Sequence, residues 1–225
     1  MNLGLLACDH IQTEFPDYPE LFESILPTFT FKIYNVCEGI FPDSANDCDS
    51  WLITGSKYSV YDDIDWINKL KVFVQDIAKF NKPCIGVCFG HQMLGEAMGG
   101  KVQKSDSGWC VGVHEFEMLY KESWMEPFHN KLNLLMSCQD QIKTLPPNSK
   151  ILAKSPLCPV GMIQIGSNML GIQGHPEFSY EYVKYLMLDR TNRIGEEIVN
   201  QGLASLMLPI QSKIVSDWMI LFLSK

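Results

Sequence analysis

A chain of 225 residues, 46% hydrophobic and 20% charged, has the length and composition of one soluble domain with a substantial core. Its formal charge of −8, from 18 basic against 26 acidic side chains, and the lack of a basic cluster argue against a nucleic-acid partner. Eight cysteines with no C-x-x-C pair suggest neither a zinc knuckle nor a thioredoxin-like centre, and a reducing cytoplasm is the simplest expected address.

The N-terminal MNLGLLACDH has no basic region ahead of its apolar run. It therefore reads as a first strand, Leu3 to Cys8, and not as a signal peptide. Asp17 to Leu26 reads as a helix closed by Pro27. Thr30 to Val36 alternates like a strand, with Phe31, Ile33 and Asn35 on one face and Lys32, Tyr34 and Val36 on the other. After a polar loop from Pro42 to Ser50, Trp51 to Thr54 forms a brief strand ending at Gly55. Ile64, Ile67, Leu70, Val74, Ile77 and Ala78 recur at helical spacing, which predicts a helix over 65–80. Pro83 then starts another strand.

This βαβαβ opening predicts an α/β fold: a single doubly wound, mostly parallel sheet with helices on both faces. Ligands of such sheets bind beyond the carboxyl ends of the strands, where Gly55 and Cys88 both lie. The middle of the chain holds short strand-like runs at Val111–Leu119, Leu132–Ser137, Ile151–Ala153, Met162–Ile165 and Met169–Gln173. They suggest antiparallel additions to the sheet. Helical patterning returns from Ser179 and ends in an amphipathic segment from Ile214 to Phe222. The apolar run from Trp218 to Leu223 is too short to cross a bilayer. One domain over 1–225 is the expected organisation.

The stretch Gly86-Val87-Cys88-Phe89-Gly90 follows an apolar run and opens a helix expected from His91 to Met98. A nucleophile on a strand-to-helix elbow is backbone-strained and needs small residues two positions to either side. Gly86 and Gly90 meet that need. The helix N-terminus also directs positive potential at the sulfur, which favours thiolate. A buried cysteine between incidental glycines is the plainer alternative, but it does not account for strand, elbow and helix in this order.

A cysteine nucleophile needs a base, and among five histidines His175 stands out. It follows a strand-like run in Gly174-His175-Pro176-Glu177, where Pro176 restricts it to extended backbone. Glu177 is placed to orient and polarise the ring. His91, on the elbow helix, reads as a packing or supporting group. His10, His114 and His129 read as surface or structural histidines, and no spacing among them suggests a metal site.

Together, G-V-C-F-G-H-Q and the later G-H-P-E resemble the class I, or triad, glutamine amidotransferase domain. Thr54-Gly55-Ser56 with the following KYSVYDD is similar to the oxyanion segment of its GMP-synthetase-like branch. Ser137-Cys138-Gln139-Asp140-Gln141 is similar to that branch's glutamine-binding loop. The resemblance implies a flavodoxin-like sheet, no cofactor, and a γ-glutamyl thioester on Cys88, with His175 as acid–base and Glu177 holding it. Backbone N–H groups of Gly55, Ser56 and Phe89 would bind the oxyanion. Gln92, Ser137, Cys138 and Asp140 would contact a small γ-glutamyl substrate.

Two positions depart from the family pattern. Ser56 stands where a second glycine is usual, and Cys138 where histidine is usual. Neither G-x-x-x-x-G-K-[ST] nor G-x-G-x-x-G occurs, so this chain is not expected to make GMP by itself. Three readings follow: a stand-alone hydrolase of γ-glutamyl compounds, a glutaminase subunit feeding a separate synthetase, or a non-catalytic binding protein of the same fold. The presence of Cys88, His175 and Glu177 together argues against the last.

Overall fold

The computed structural model describes residues 1–11 and 13–225. In chain order come β1 (Asn2–Leu6), α1 (Tyr18–Ile25), β2 (Thr30–Tyr34), β3 (Ser50–Ile53), α2 (Asp65–Lys79), β4 (Cys84–Val87) and α3 (Phe89–Ala97). A run of strands follows: β5 (Lys101–Lys104), β6 (Cys110–Met118), β7 (Lys131–Cys138), β8 (Asp140–Thr144), β9 (Ser149–Lys154), β10 (Met162–Ile165) and β11 (Met169–Ile172). The chain closes with α4 (Tyr180–Asp189), α5 (Thr191–Ile194), α6 (Glu196–Ser205) and α7 (Ser212–Leu223).

Nine strands form one sheet in the order β2-β1-β3-β4-β11-β10-β9-β6-β7. The pairings from β2 through β11 are parallel; those from β11 through β7 are antiparallel. The expected antiparallel additions thus make up one side of the sheet. β5 and β8 form a separate antiparallel ribbon.

The parallel strands are apolar on both faces because helices cover both. Leu3, Leu5, Leu52, Ile85 and Val87 pack in one layer with Phe22 of α1, Leu186 of α4 and Trp218 of α7. Leu6, Trp51, Ile53 and Cys84 pack in the other with Leu70 of α2 and Leu94 of α3. Successive strand residues alternate between layers, as the period of two requires. α1 starts at a capping box: the Asp17 carboxylate accepts from the Glu20 backbone N–H, and Glu20 Oε2 accepts from the Asp17 N–H at 2.8 Å.

The structure differs from the sequence reading in several places. β2 stops at Tyr34, and Val36–Glu38 turns into a 3-10 helix closed by Gly39 at φ 84°. As an edge strand, β2 also leaves Ile33 47% exposed. The β5–β8 ribbon was not expected, since Val102 is the one buried residue of KVQK. The segment read as a substrate loop is mostly strand: Ser137 and Cys138 end β7, Asp140 starts β8, and Gln139 alone links them.

Candidate active site

β3, β4 and β11 are adjacent and parallel, so the residues that follow them emerge together at one edge. These are Gly55, Cys88 and His175. The sequence placed the first two side by side; the β4–β11 pairing brings in the third. An isolated bridge between Leu135 and His175, with the His175 N–H donating to the Leu135 carbonyl at 2.8 Å, ties the end of β7 to the same place.

Cys88 caps α3 with φ 52° and ψ −102°, a region that side chains other than glycine rarely occupy. Its neighbours hold it there. The Cys88 N–H donates to the Ile172 carbonyl at 2.9 Å, the Gln92 N–H to the Cys88 carbonyl at 3.0 Å, and the Gly90 N–H to the Thr54 carbonyl at 3.1 Å. Gly90 packs so tightly on β3 that an added Cβ would lie 2.3 Å from the Ile53 carbonyl oxygen. The helix begins at Phe89, two residues earlier than expected.

His175 is buried, and its Nδ1 lies 2.7 Å from Glu177 Oε1. Its ring stacks on Phe178, with centroids 3.9 Å apart and planes 6° apart. With Nδ1 committed to Glu177, Nε2 is the nitrogen left for the Cys88 sulfur. Burial by itself lowers the imidazole pKa, but the charges of Glu177 and Cys88, with the hydrogen bond to Glu177, push it up to about 10. His91 is different. It is fully buried against Gly171, and burial holds it down to about 4.

Gly55 abuts this ring: a Cβ there would sit 3.3 Å from His175 Cε1 and 2.9 Å from the Tyr18 hydroxyl. The Ser56 hydroxyl donates to the Cys8 carbonyl at 2.9 Å. Among the described residues, no acceptor takes the backbone N–H groups of Gly55, Ser56 or Phe89.

Cys88 lies where two cavities meet. One, about 130 Å³, is bordered by Gln92, Ser137, Cys138 and Asp140. Gln92 Nε2 donates to the Asp140 carbonyl at 2.8 Å and to Gln173 Oε1 at 3.2 Å. The Asp140 carboxylate accepts from Ser59 Oγ at 2.6 Å and from the Tyr61 hydroxyl at 3.1 Å. Ser137 Oγ is buried with no hydrogen-bond partner among the described residues. Cys138 is the cross-strand neighbour of Cys110, and that contact, with burial, pushes its thiol well above the ordinary value.

The other cavity, about 180 Å³, lies on the His175 side and is walled by Tyr18, Phe178, Tyr182 and Tyr185. His10 is at its rim, 3.0 Å from Asp17 Oδ2 and 3.2 Å from Glu38 Oε1. His10, expected at the surface or in a structural role, borders the cleft, as do Tyr182, Arg190 and Arg193, which no motif singles out. The only available cue was that the chain's two arginines stand within one helical turn of each other. Among the described residues no His, Cys, Asp and Glu group could hold a metal ion, and no helix is long and apolar enough to cross a membrane.

The model of the family described as glutamine amidotransferase class-I matches residues 30–191, a span that includes both Cys88 and His175. The chain belongs to this family. Among its amidotransferase relatives, gamma-glutamyl peptidase 3 of Arabidopsis thaliana is 30% identical over 204 residues, covering 84% of this chain and 80% of that protein. A glutamine-hydrolyzing GMP synthase subunit of Pyrococcus abyssi is 33% identical over 108 residues, 48% of this chain and 57% of that protein. A glutamine amidotransferase of Thermotoga maritima, of known crystal structure, shares the fold with a TM-score of 0.77 at 15% identity, covering 100% of this chain and 98% of that one. For an amidotransferase, the departures at Ser56 and Cys138 are mild in space. Ser56 engages its hydroxyl with the Cys8 carbonyl, and Cys138 adds a small, buried wall.

Proposed function

We propose that this chain hydrolyses γ-glutamyl amide bonds through a thioester on Cys88, in a single domain spanning 1–225. The reading is carried by one observation: at the ends of three adjacent strands, a strained cysteine meets an imidazole paired with a buried carboxylate.

The Cys88 thiolate, the nucleophilic form of the side chain, attacks the γ-carbonyl carbon. The oxyanion that forms takes hydrogen bonds from the unengaged N–H groups of Gly55, Ser56 and Phe89. Removing one such donor typically costs on the order of 100-fold or more in rate. As the C–N bond breaks, the His175 imidazolium gives its proton to the departing amine. Glu177 holds Nδ1 and stabilises the charged ring. Water then enters on the vacated side, passes a proton to His175 and attacks the thioester carbon, releasing glutamate and the sulfur. Gln92, Ser137, Cys138 and Asp140 form the wall that would receive the glutamyl part. The eight free cysteines suit a reducing cytoplasm.

The relationship to gamma-glutamyl peptidase 3 and the cavity on the His175 side favour a γ-glutamyl peptide over glutamine. A second reading, a glutaminase component serving a separate synthetase, draws support from the likeness to the GMP synthase subunit. Turnover of a γ-glutamyl dipeptide panel beside glutamine by the purified protein separates the two. At least one dipeptide should be the faster substrate. Preference for glutamine, together with activation by a second protein, establishes the synthetase-linked reading instead.

A further inference from the structure

The two cavities beside Cys88 are not equivalent, and His175 tells them apart. A general acid must reach the nitrogen it protonates. His175 borders only the larger cavity; Gln92 and Asp140 border only the smaller. The leaving amine therefore occupies the larger, and the glutamyl part the smaller. At about 180 Å³, the leaving-group side exceeds by roughly an order of magnitude the ~10–15 Å³ that one water needs. Ammonia would fill little of it.

The charges on that side are mostly spoken for. Asp9 lies 3.0 Å from Lys57 Nζ and accepts from the Lys57 and His10 N–H groups at 2.9 Å each. His10 is flanked by Asp17 and Glu38. Asp189 is exposed at the rim. Arg190 is half-buried at the end of α4 and borders both cavities beside Cys88. Among the described residues no carboxylate lies within 4.0 Å of its guanidinium. A guanidinium matches a carboxylate as a two-point donor. Arg193, one turn on, borders only the glutamyl side and lies over Trp109, 5.4 Å from the ring centroid.

We propose that Arg190 is the specificity-determining residue for the leaving group, binding the carboxylate of an amino acid released from a γ-glutamyl dipeptide. This rests on the hydrolase reading above. The aromatic walls of Tyr182 and Tyr185 receive an apolar side chain on that amino acid, and the preferred substrates are γ-glutamyl dipeptides with a free C-terminus.

The test compares kcat/KM for γ-glutamyl-phenylalanine with that for its C-terminal carboxamide, in the parent protein, Arg190→Gln, Arg190→Lys and Arg193→Gln. A hydrogen-bonded charge pair corresponds to about 10- to 100-fold. The parent should prefer the free acid by that factor. Arg190→Gln should bring the ratio close to one, and Arg190→Lys should restore part of it. Arg193→Gln should slow both substrates alike and keep the ratio. A ratio near one in the parent, or an unchanged ratio in Arg190→Gln, overturns the assignment, as does equal loss on both substrates. If the parent cleaves neither compound, nor any other γ-glutamyl amide, the hydrolase reading fails and this one falls with it. Thermal unfolding of each variant separates altered selectivity from a damaged fold.

Discussion

Gly86 and Gly90 stand so close across the elbow that a Cβ on Gly86 would lie 2.2 Å from the Gly90 carbonyl oxygen. The neighbour is backbone at the start of α3, so it cannot swing aside as a long side chain could. Gly86→Ala must push α3 away from β4 or reopen the turn at Cys88. We expect a loss of stability of at least about 2 kcal/mol, at the upper end of overpacking costs, and loss of hydrolysis even in the folded fraction. Denaturant unfolding and turnover check this. A Gly86→Ala protein with parental stability and activity contradicts the elbow geometry.

The His175 imidazole makes a prediction about pH. Its folded-state pKa of about 10 lies above the ordinary 6.5, so its charged form stabilises the fold. That contribution is complete below about pH 6.5 and disappears as pH climbs through about 10. The unfolding free energy of the parent minus that of His175→Gln should therefore shrink between about pH 6 and pH 10.5. The change should exceed about 1.4 kcal/mol, the equivalent of one pKa unit. A gap that stays constant with pH contradicts the charged pair. In turnover, Glu177→Gln should be milder than His175→Ala, because it removes the orienting group and leaves the base.

Cys138 borders the smaller cavity together with Cys88, while Cys84 is buried in β4 with its thiol pushed up by burial alone. Peroxide should oxidise Cys88 to a sulfenic acid with release of water. Attack by the Cys138 thiol then forms a disulfide and releases a second water. Inactivation of the parent should be reversed by a thiol reductant, and that recovery should drop several-fold in Cys138→Ser. Cys84→Ser should behave as the parent does. Equal recovery in the parent and Cys138→Ser contradicts the proximity.

Much of this could be read from the chain. G-x-C-x-G after an apolar run fixes strand, elbow and helix together, because each glycine answers a clash with backbone: Gly86 against Gly90, and Gly90 against Ile53. G-H-P-E carries its own geometry, since Pro176 sets the backbone and Glu177 is near enough to hold the ring. What linked the two was hidden. β11 pairs with β4 only after the chain has laid down the β5–β8 ribbon and the antiparallel strands, and no local pattern encodes so distant a neighbour. The Ser137–Asp140 segment looked like a loop because its polar residues line a cleft, although both flanks are hydrogen-bonded strands. Tyr182 and Arg190 belong to no motif. They border the cleft because α4 starts just beyond Glu177 and runs along its edge.

In the proposed mechanism Cys88 carries the γ-glutamyl group during hydrolysis. That step is tested most directly by acid-quenching the purified protein during turnover of a γ-glutamyl dipeptide and mapping its peptides by mass spectrometry. The predicted result is a γ-glutamyl thioester on the peptide containing Cys88, its accumulation when deacylation is slowed, and neither adduct nor turnover in a folded Cys88→Ala protein. Turnover by Cys88→Ala, or a parent protein that hydrolyses the dipeptide with the adduct on another residue, contradicts it.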